Sequence, residues 1–220
     1  LEQSQHEVIN PNQGLLSFLI VHDNQDSTYI SPHWHRAVEL SYTLKGSIDQ
    51  FYVAGENFQT HSGQILVINT QEVHSIRVLK HKEESNLALT ITYPYPFLIG
   101  QCEKIAYSRF DINHPEQFSA EQKRAYKELQ KILEKIVLDC HSDRFDKNLK
   151  LNLGILKALE ILIDFSWWMI FLQLVGIIVC KLLSALKRLT NICSNITKTI
   201  SIWKIWQHIA IFHVLIWLDF

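Results

Sequence analysis

The sequence predicts a mainly β chain with α: an antiparallel β-barrel, then two amphipathic helices, then an apolar tail. Three observations carry this. Between Leu15 and Tyr93, short runs rich in Val, Ile, Phe, Tyr and Thr alternate apolar with polar residues, punctuated by Gly or Asn/Asp, as half-buried strands do. From Pro115 onward, apolar residues recur at intervals of three and four, the helical period. Beyond Phe165 the composition shifts: Asp219 is the one acidic residue and five of the six tryptophans appear. The expected organisation is a barrel over residues 1–112, a helical segment over 113–164 and the tail over 165–220.

The elements follow in order. Val38 to Leu44, the turn Lys45-Gly46-Ser47 and Ile48 to Val53 read as a strand, a tight turn and a returning strand. Gly63-Gln64 turns the chain into a further strand, Ile65 to Asn69. Several short strands so spaced indicate a sandwich or barrel. Ser119, followed three residues later by Gln122, is a capping box for a first helix. Tyr126, Leu129, Ile132, Leu133, Ile136 and Val137 then form one stripe, long enough to suggest a dimer seam as well as packing on the barrel. A second helix is expected from about Lys147 to Ile163, with Leu149, Leu153, Leu156, Leu159 and Ile163 on its stripe.

Composition narrows the function classes. A chain of 220 residues can bury a real core, but it holds one domain with an appendage or two small ones. A formal net charge of -1 supplies no global field toward phosphate, so nucleic-acid binding would need a local patch. Cys102, Cys140, Cys180 and Cys193 lack CxxC spacing, which argues against a disulfide framework or a zinc knot and favours a reducing cytoplasm. The chain opens on Leu1, and Leu15 to Val21 is too short and poorly flanked for a signal peptide, so a clipped start without an export signal is expected.

The sharpest chemical signal is Pro32-His33-Trp34-His35-Arg36-Ala37-Val38-Glu39. On a strand, side chains repeat with period two, so His33, His35 and Glu39 can share a face. Gln71-Glu72-Val73-His74 closes the later strand and can bring another imidazole to the same interior. Three histidines and a carboxylate suit a divalent transition metal. They equally suit hydrogen bonding to a bound small molecule, or mutual satisfaction inside a barrel. Trp34 and Tyr42 are candidates to stack on a ligand, although a barrel aromatic is commonly plain core.

The spacing of His33, His35, Glu39 and Gly46, then Gly63 and His74, resembles the two motifs of the cupin superfamily, with Asn69 and Gln71 where the second motif usually has Pro and Gly. A narrower resemblance spans residues 14–163. His33-Trp34-His35 before Glu39-Leu40, the Gly46 turn, Gly63 to Asn69, Glu72 to Ile76 and the two helices look like the sensor half of the AraC/XylS transcription regulators. That resemblance implies a barrel holding a small-molecule effector, often a sugar or other metabolite, with His33, His35, Glu39 and His74 lining the pocket. It also implies helices that bring two subunits together, and no enzymatic activity. A metal-dependent cupin enzyme using the same four residues is the alternative.

The tail reads in two ways. Phe165 to Leu183 holds a single charge, Lys181, and as a helix it would extend roughly 28 Å at ~1.5 Å per residue, enough for a bilayer core. Ile200 to Phe220 is a second apolar stretch, and the literal reading is a membrane-attached sensor. The genetic code offers the other reading. With each codon started at the third base of the written one, Trp203-Lys204 must give Glu, Trp206-Gln207 must give Ala, and Ile202-Trp203 and Ile205-Trp206 give Leu or Met. Phe212-His213 gives Ser or Pro, and the permitted string resembles the first helix-turn-helix of AraC-type regulators. Trp168-Met169 and Met169-Ile170 each become Asp, so the apolar run becomes acidic. The tail is then expected to be a frameshifted remnant of a DNA-binding domain, with the slip near Ile163 to Ser166 and DNA binding lost in the chain as written.

Overall fold

The computed structural model describes residues 4–24, 26–79, 85–163, 165 and 181–182. The chain divides into two compact units, Leu1–Phe171 and Leu172–Phe220. In the second only residues 181–182 are described, both helical, so the apolar runs of the tail fall almost wholly outside the described residues. Among the described residues no helix is long and apolar enough to cross a membrane.

The first unit contains β1 (Gln5–Glu7), β2 (Phe18–Asn24), β3 (Thr28–His35), β4 (Ala37–Lys45), β5 (Ser47–Val53), β6 (Glu56–His61), β7 (Ile65–Ile68), β8 (His74–Val78) and β9 (Asn86–Pro94). Helices α1 (Tyr95–Gln101) and α2 (Ala120–Cys140) follow, then α3 over residues 147–163. The strands form a five-stranded sheet, ordered β1-β3-β8-β5-β6, and a four-stranded sheet, ordered β2-β9-β4-β7. Pairing is antiparallel throughout except for β1 beside β3. Ile48, Phe51 and Val53 of the first sheet pack on Leu66 and Ile68 of the second, so the sheets face each other across a shared interior.

Strands β4, β7 and β9 of the four-stranded sheet are buried on both faces, and period-two alternation assigns each face a different task. Val38, Leu40 and Tyr42 of β4, Ile65 and Val67 of β7, and Leu89, Ile91 and Tyr93 of β9 join the core that the helices complete. The intervening residues Glu39, Ser41, Thr43, Thr90 and Thr92 are buried on the other face, and they are polar. Directly opposite residues share a face, and the register pairs Glu39 with Thr92 and Ser41 with Thr90.

The expected β4–β5 hairpin is corrected. The strands lie where the alternation puts them, but β4 pairs with β7 and β9 while β5 pairs with β6 and β8. The turn at Gly46 is therefore a corner between sheets. Gly46 has φ +77°, and a Cβ there would lie 1.9 Å from Asn86 Oδ1, the oxygen that accepts from Ser47 N at 2.9 Å. Alternation reveals a strand locally; its partner is chosen by distant residues.

The capping box forms as expected: Gln122 N donates to Ser119 Oγ at 3.2 Å and Ser119 N to Gln122 Oε1 at 2.9 Å. Helix α2 buries Tyr126, Leu129, Leu133, Ile136 and Val137 in the core it shares with the sheet. At about 1.5–3 kcal/mol for each large apolar side chain removed from water, this contact is a principal source of stability. The stripe expected on α3 is displaced: Leu151, Ile155, Ala158, Leu159 and Leu162 are buried, while Leu149, Leu153 and Leu156 are 62%, 59% and 36% exposed. Helix α3 carries apolar residues on two faces, and sequence period alone does not say which meets the core. Gly154 shows how closely the helices approach, since a Cβ there would lie 2.7 Å from Ile136 Cγ1.

Candidate functional site

Strands β3 and β4 succeed each other with Arg36 between them, so the chain crosses from one sheet to the other inside the His33-to-Glu39 motif. That crossing delivers His35 from one sheet and Glu39 from the other to a common interior. His35 Nε2 lies 3.1 Å from Glu39 Oε2, with the two side chains 1% and 9% exposed. Register places His33 opposite His74, and their ring centroids are 4.0 Å apart. His74 Nε2 is 3.8 Å from Glu39 Oε2, and its ring centroid is 4.9 Å from that of His35. The four residues singled out from sequence spacing thus converge.

Backbone carbonyls hold two of the imidazoles by Nδ1. Ser31 O lies 2.9 Å from His33 Nδ1, and Glu72 O lies 3.0 Å from His74 Nδ1. A carbonyl only accepts, so each Nδ1 carries a proton, and in the neutral His74 imidazole Nε2 is therefore a bare base. His74 Nε2 is buried without a hydrogen-bond partner among the described residues. His33 Nε2 faces Glu7 Oε2 at 3.4 Å. One nitrogen from each of His33, His35 and His74 falls within 4.8 Å of the others, a grouping able to hold a metal ion.

Burial and charge act against each other here. Burial alone would raise the Glu39 pKa, but the His35 hydrogen bond and the nearby imidazoles hold it below the ordinary carboxylate range. His35 is pulled down by burial, yet its pairing with Glu39 lifts it above the ordinary histidine value. For His74 burial prevails over the attraction of Glu39, and its pKa falls to about 4. At neutral pH the site therefore holds an ionised carboxylate, a paired imidazole and a neutral imidazole whose buried lone pair faces the carboxylate.

Trp34 and Tyr42, expected as stacking residues, are not part of this interior. Trp34 alternates away from His33 and His35, and its ring stacks on His6 with centroids 4.4 Å apart. Tyr42 is buried on the helix side of β4, where its hydroxyl donates to Glu134 Oε1 at 3.1 Å. The interior instead gains hydroxyls that the sequence reading passed over. Thr43 Oγ1 and Thr60 Oγ1 are 2.8 Å apart, and Thr92 Oγ1 donates to Glu39 Oε2 at 3.5 Å. The signal for them was present: Glu39-Leu40-Ser41-Tyr42-Thr43 and Thr90-Ile91-Thr92 alternate polar with apolar in strands buried on both faces. The side chains expected at a dimer seam, Tyr126, Leu129, Leu133, Ile136 and Val137, are buried in the chain's own core, with Ile132 partly buried against it.

A family model described as the AraC-like ligand binding domain matches residues 15–154. Comparison with curated proteins finds no match. Among solved structures, KdgF from Halomonas sp. aligns at 18% identity over 34% of this chain and 66% of its own, with a TM-score of 0.31. A cupin protein from Bacteroides fragilis aligns at 17% identity over 34% and 64%, with a TM-score of 0.30. A Thermotoga maritima protein called a predicted oxalate decarboxylase aligns at 17% identity over 36% and 68%, with a TM-score of 0.32. The chain thus spans about two thirds of the length of those proteins. Two mainly antiparallel sheets followed by helices form the cupin-like arrangement expected from the sequence.

The opposed shifts of the two imidazoles make stability pH-dependent in a separable way. The folded His74 pKa lies below the unfolded value, so the unfolded chain takes up the proton first, and stability is lost as pH falls from about 6.5 toward 4. The folded His35 pKa lies above it, so that contribution is full below about 6.5 and fades as pH rises through the folded pKa. The His74→Gln variant is expected to lose less urea resistance than the natural chain between about pH 7 and about pH 5. An equal or steeper loss in the variant would contradict the burial of a neutral His74.

Proposed function

Because the chain belongs to the AraC-like ligand-binding domain family, we propose that it is the effector-sensing and dimerisation part of an AraC-type transcription regulator, working in the cytoplasm, not as an enzyme. The observation that carries the site is the buried, unpartnered Nε2 of His74 facing the Glu39 carboxylate. Two convergent acceptors in a buried interior favour an occupant that makes the missing bond, because an unmade buried hydrogen bond costs about 1–3 kcal/mol. The occupant therefore brings proton donors or positive charge. A small molecule with hydroxyl or ammonium groups meets that need, and Ser41, Thr43, Thr60, Thr90 and Thr92 extend the polar wall around it.

A divalent metal is the second reading, favoured by the grouping of His33, His35 and His74. Those three imidazoles with Glu39 would hold it, and the ion would supply a Lewis-acidic centre to which an effector's oxygen could bind. The chain's own part is to keep Nε2 of His74 deprotonated and to exclude water.

For pairing, the apolar surface left over matters more than the surface already used. The large apolar side chains Leu138, Phe145, Leu149, Leu153 and Leu156 remain exposed at the end of α2, in the connection and on the outer side of α3. These are the residues that a second subunit would cover. An effector that shifts how the helices are held would change how two reader domains meet paired half-sites. Residues 165–220 read as the frameshifted remnant of such a reader, so this chain retains sensing and pairing without DNA output.

A panel of small metabolites screened by thermal shift on the full chain tests the sensing claim. At least one compound is expected to raise the melting temperature of the natural chain and not that of Glu39→Gln or His74→Ala. Compounds that stabilise all three chains equally would contradict it. Restoring one base near the Ile163 codon is expected to produce a protein that shifts promoter DNA in a gel, whereas the chain as written does not. DNA binding by the unrestored chain would overturn the frameshift reading.

A further inference from the structure

We propose that Glu72 is a positioning residue for the interior site, acting with Asn69 and Arg109 to hold His74 in the tautomer that turns a bare Nε2 toward Glu39. This rests on reading the interior as a binding site. It concerns the loop from Asn69 to His74, which joins β7 to β8 and departs from the second cupin motif at two positions.

Where the motif would have a stiff proline the chain has Asn69, and where it would have glycine the chain has Gln71 at φ +67°. A non-glycine residue is strained in that region, so something must hold the loop. A hydrogen-bonded clamp does so. The Glu72 carboxylate, 8% exposed, accepts from Asn69 N at 2.8 Å and from Asn69 Nδ2 at 3.4 Å, and it pairs with Arg109 Nη2. The Asn69 amide in turn exchanges two bonds with the Phe110 backbone, accepting from Phe110 N at 2.8 Å and donating to Phe110 O at 3.1 Å. Gln71 N donates to His35 O at 3.0 Å and Ala54 N to Val73 O at 2.9 Å, tying the loop to its neighbours on either side.

The clamped turn presents the Glu72 carbonyl 3.0 Å from His74 Nδ1. That contact fixes the proton on Nδ1 and leaves Nε2 as the base facing Glu39 at 3.8 Å. A carbonyl that accepts from the far nitrogen of a binding imidazole commonly sets its orientation and basicity. Neutralising Glu72 removes the charged acceptor that gathers Asn69 N and Arg109. The turn then relaxes, and His74 gains access to the alternative tautomer, whose Nε2–H can donate to Glu39. Arg109 is 63% exposed at its side chain, so the device reaches from the interior to the surface segment that leads to α2.

The full chain labelled with ¹⁵N-histidine tests this through two-bond ¹H–¹⁵N correlation, with the His74 signals identified by their loss in His74→Gln. In the natural chain His74 is expected to show a protonated Nδ1 and an unprotonated Nε2. In Glu72→Gln the Nε2 signal is expected to move to the protonated range in most molecules. Arg109→Met should move it the same way to a smaller extent, and Arg109→Lys should bring it back. An unmoved His74 spectrum in Glu72→Gln, with only the urea midpoint lowered, would show a purely structural role and overturn the proposal. Should Glu72→Gln not fold, Arg109→Met at its exposed position decides alone, and an unchanged signal there overturns it. A metabolite screen without hits would sink the binding reading and leave the tautomer measurement intact, so the two failures are distinguishable.

Discussion

The register of β4 is the constraint on which the rest of the structure depends. Val38, Leu40 and Tyr42 enter the core under the helices, while Glu39, Ser41 and Thr43 are buried on the interior side. A slip of one residue would send a carboxylate into an apolar helix contact and turn leucine toward the polar interior. The partners enforce the same choice. Opposite Glu39 stands Thr92 and opposite Leu40 stands Ile91, so β9 repeats the alternation in phase. Helix α2 then buries its stripe on the apolar side, and the barrel interior is left free to be polar.

A polar interior is expensive. The Glu39 carboxylate is taken out of water chiefly against His35, with Thr92 as a second donor, and a buried pair of this kind is weak evidence for stability, because desolvation commonly cancels the attraction. His74 adds to the cost, since its neutral state is enforced by burial and its Nε2 finds no partner among the described residues. A chain seeking only stability would fill this volume with the valine and leucine that cover the other face of the sheet. The concentration of these costs at one place, within the region that matches a ligand-binding family, is what makes binding the economical explanation.

Much of this was legible in the sequence, for reasons that separate the local from the non-local. The capping box at Ser119 and Gln122 was readable because a cap is made by residues three apart. His33, His35 and Glu39 were readable because strand period and a single crossing bring them together. Tyr42 takes the commoner part of a barrel aromatic, plain core, and Trp34 stacks on His6; the alternation that gathers His35 and Glu39 puts both on the other side. The sheet partners of β5, the buried face of α3 and the bond between Glu72 and Arg109 were beyond reach. Each depends on contacts between residues far apart in sequence, such as the 37 positions separating Glu72 from Arg109.

The central claim is that the interior presents convergent lone pairs to an electron-poor occupant, and cobalt(II) is the plainest probe of that property. Crystals of the full chain grown with cobalt(II) and measured at the metal's absorption edge would locate it directly. The account predicts an anomalous peak inside the barrel bonded to His74 Nε2, with His33, His35 or Glu39 completing the shell. Peaks confined to surface imidazoles such as His61 or His141, with the interior empty at saturating metal, would contradict it.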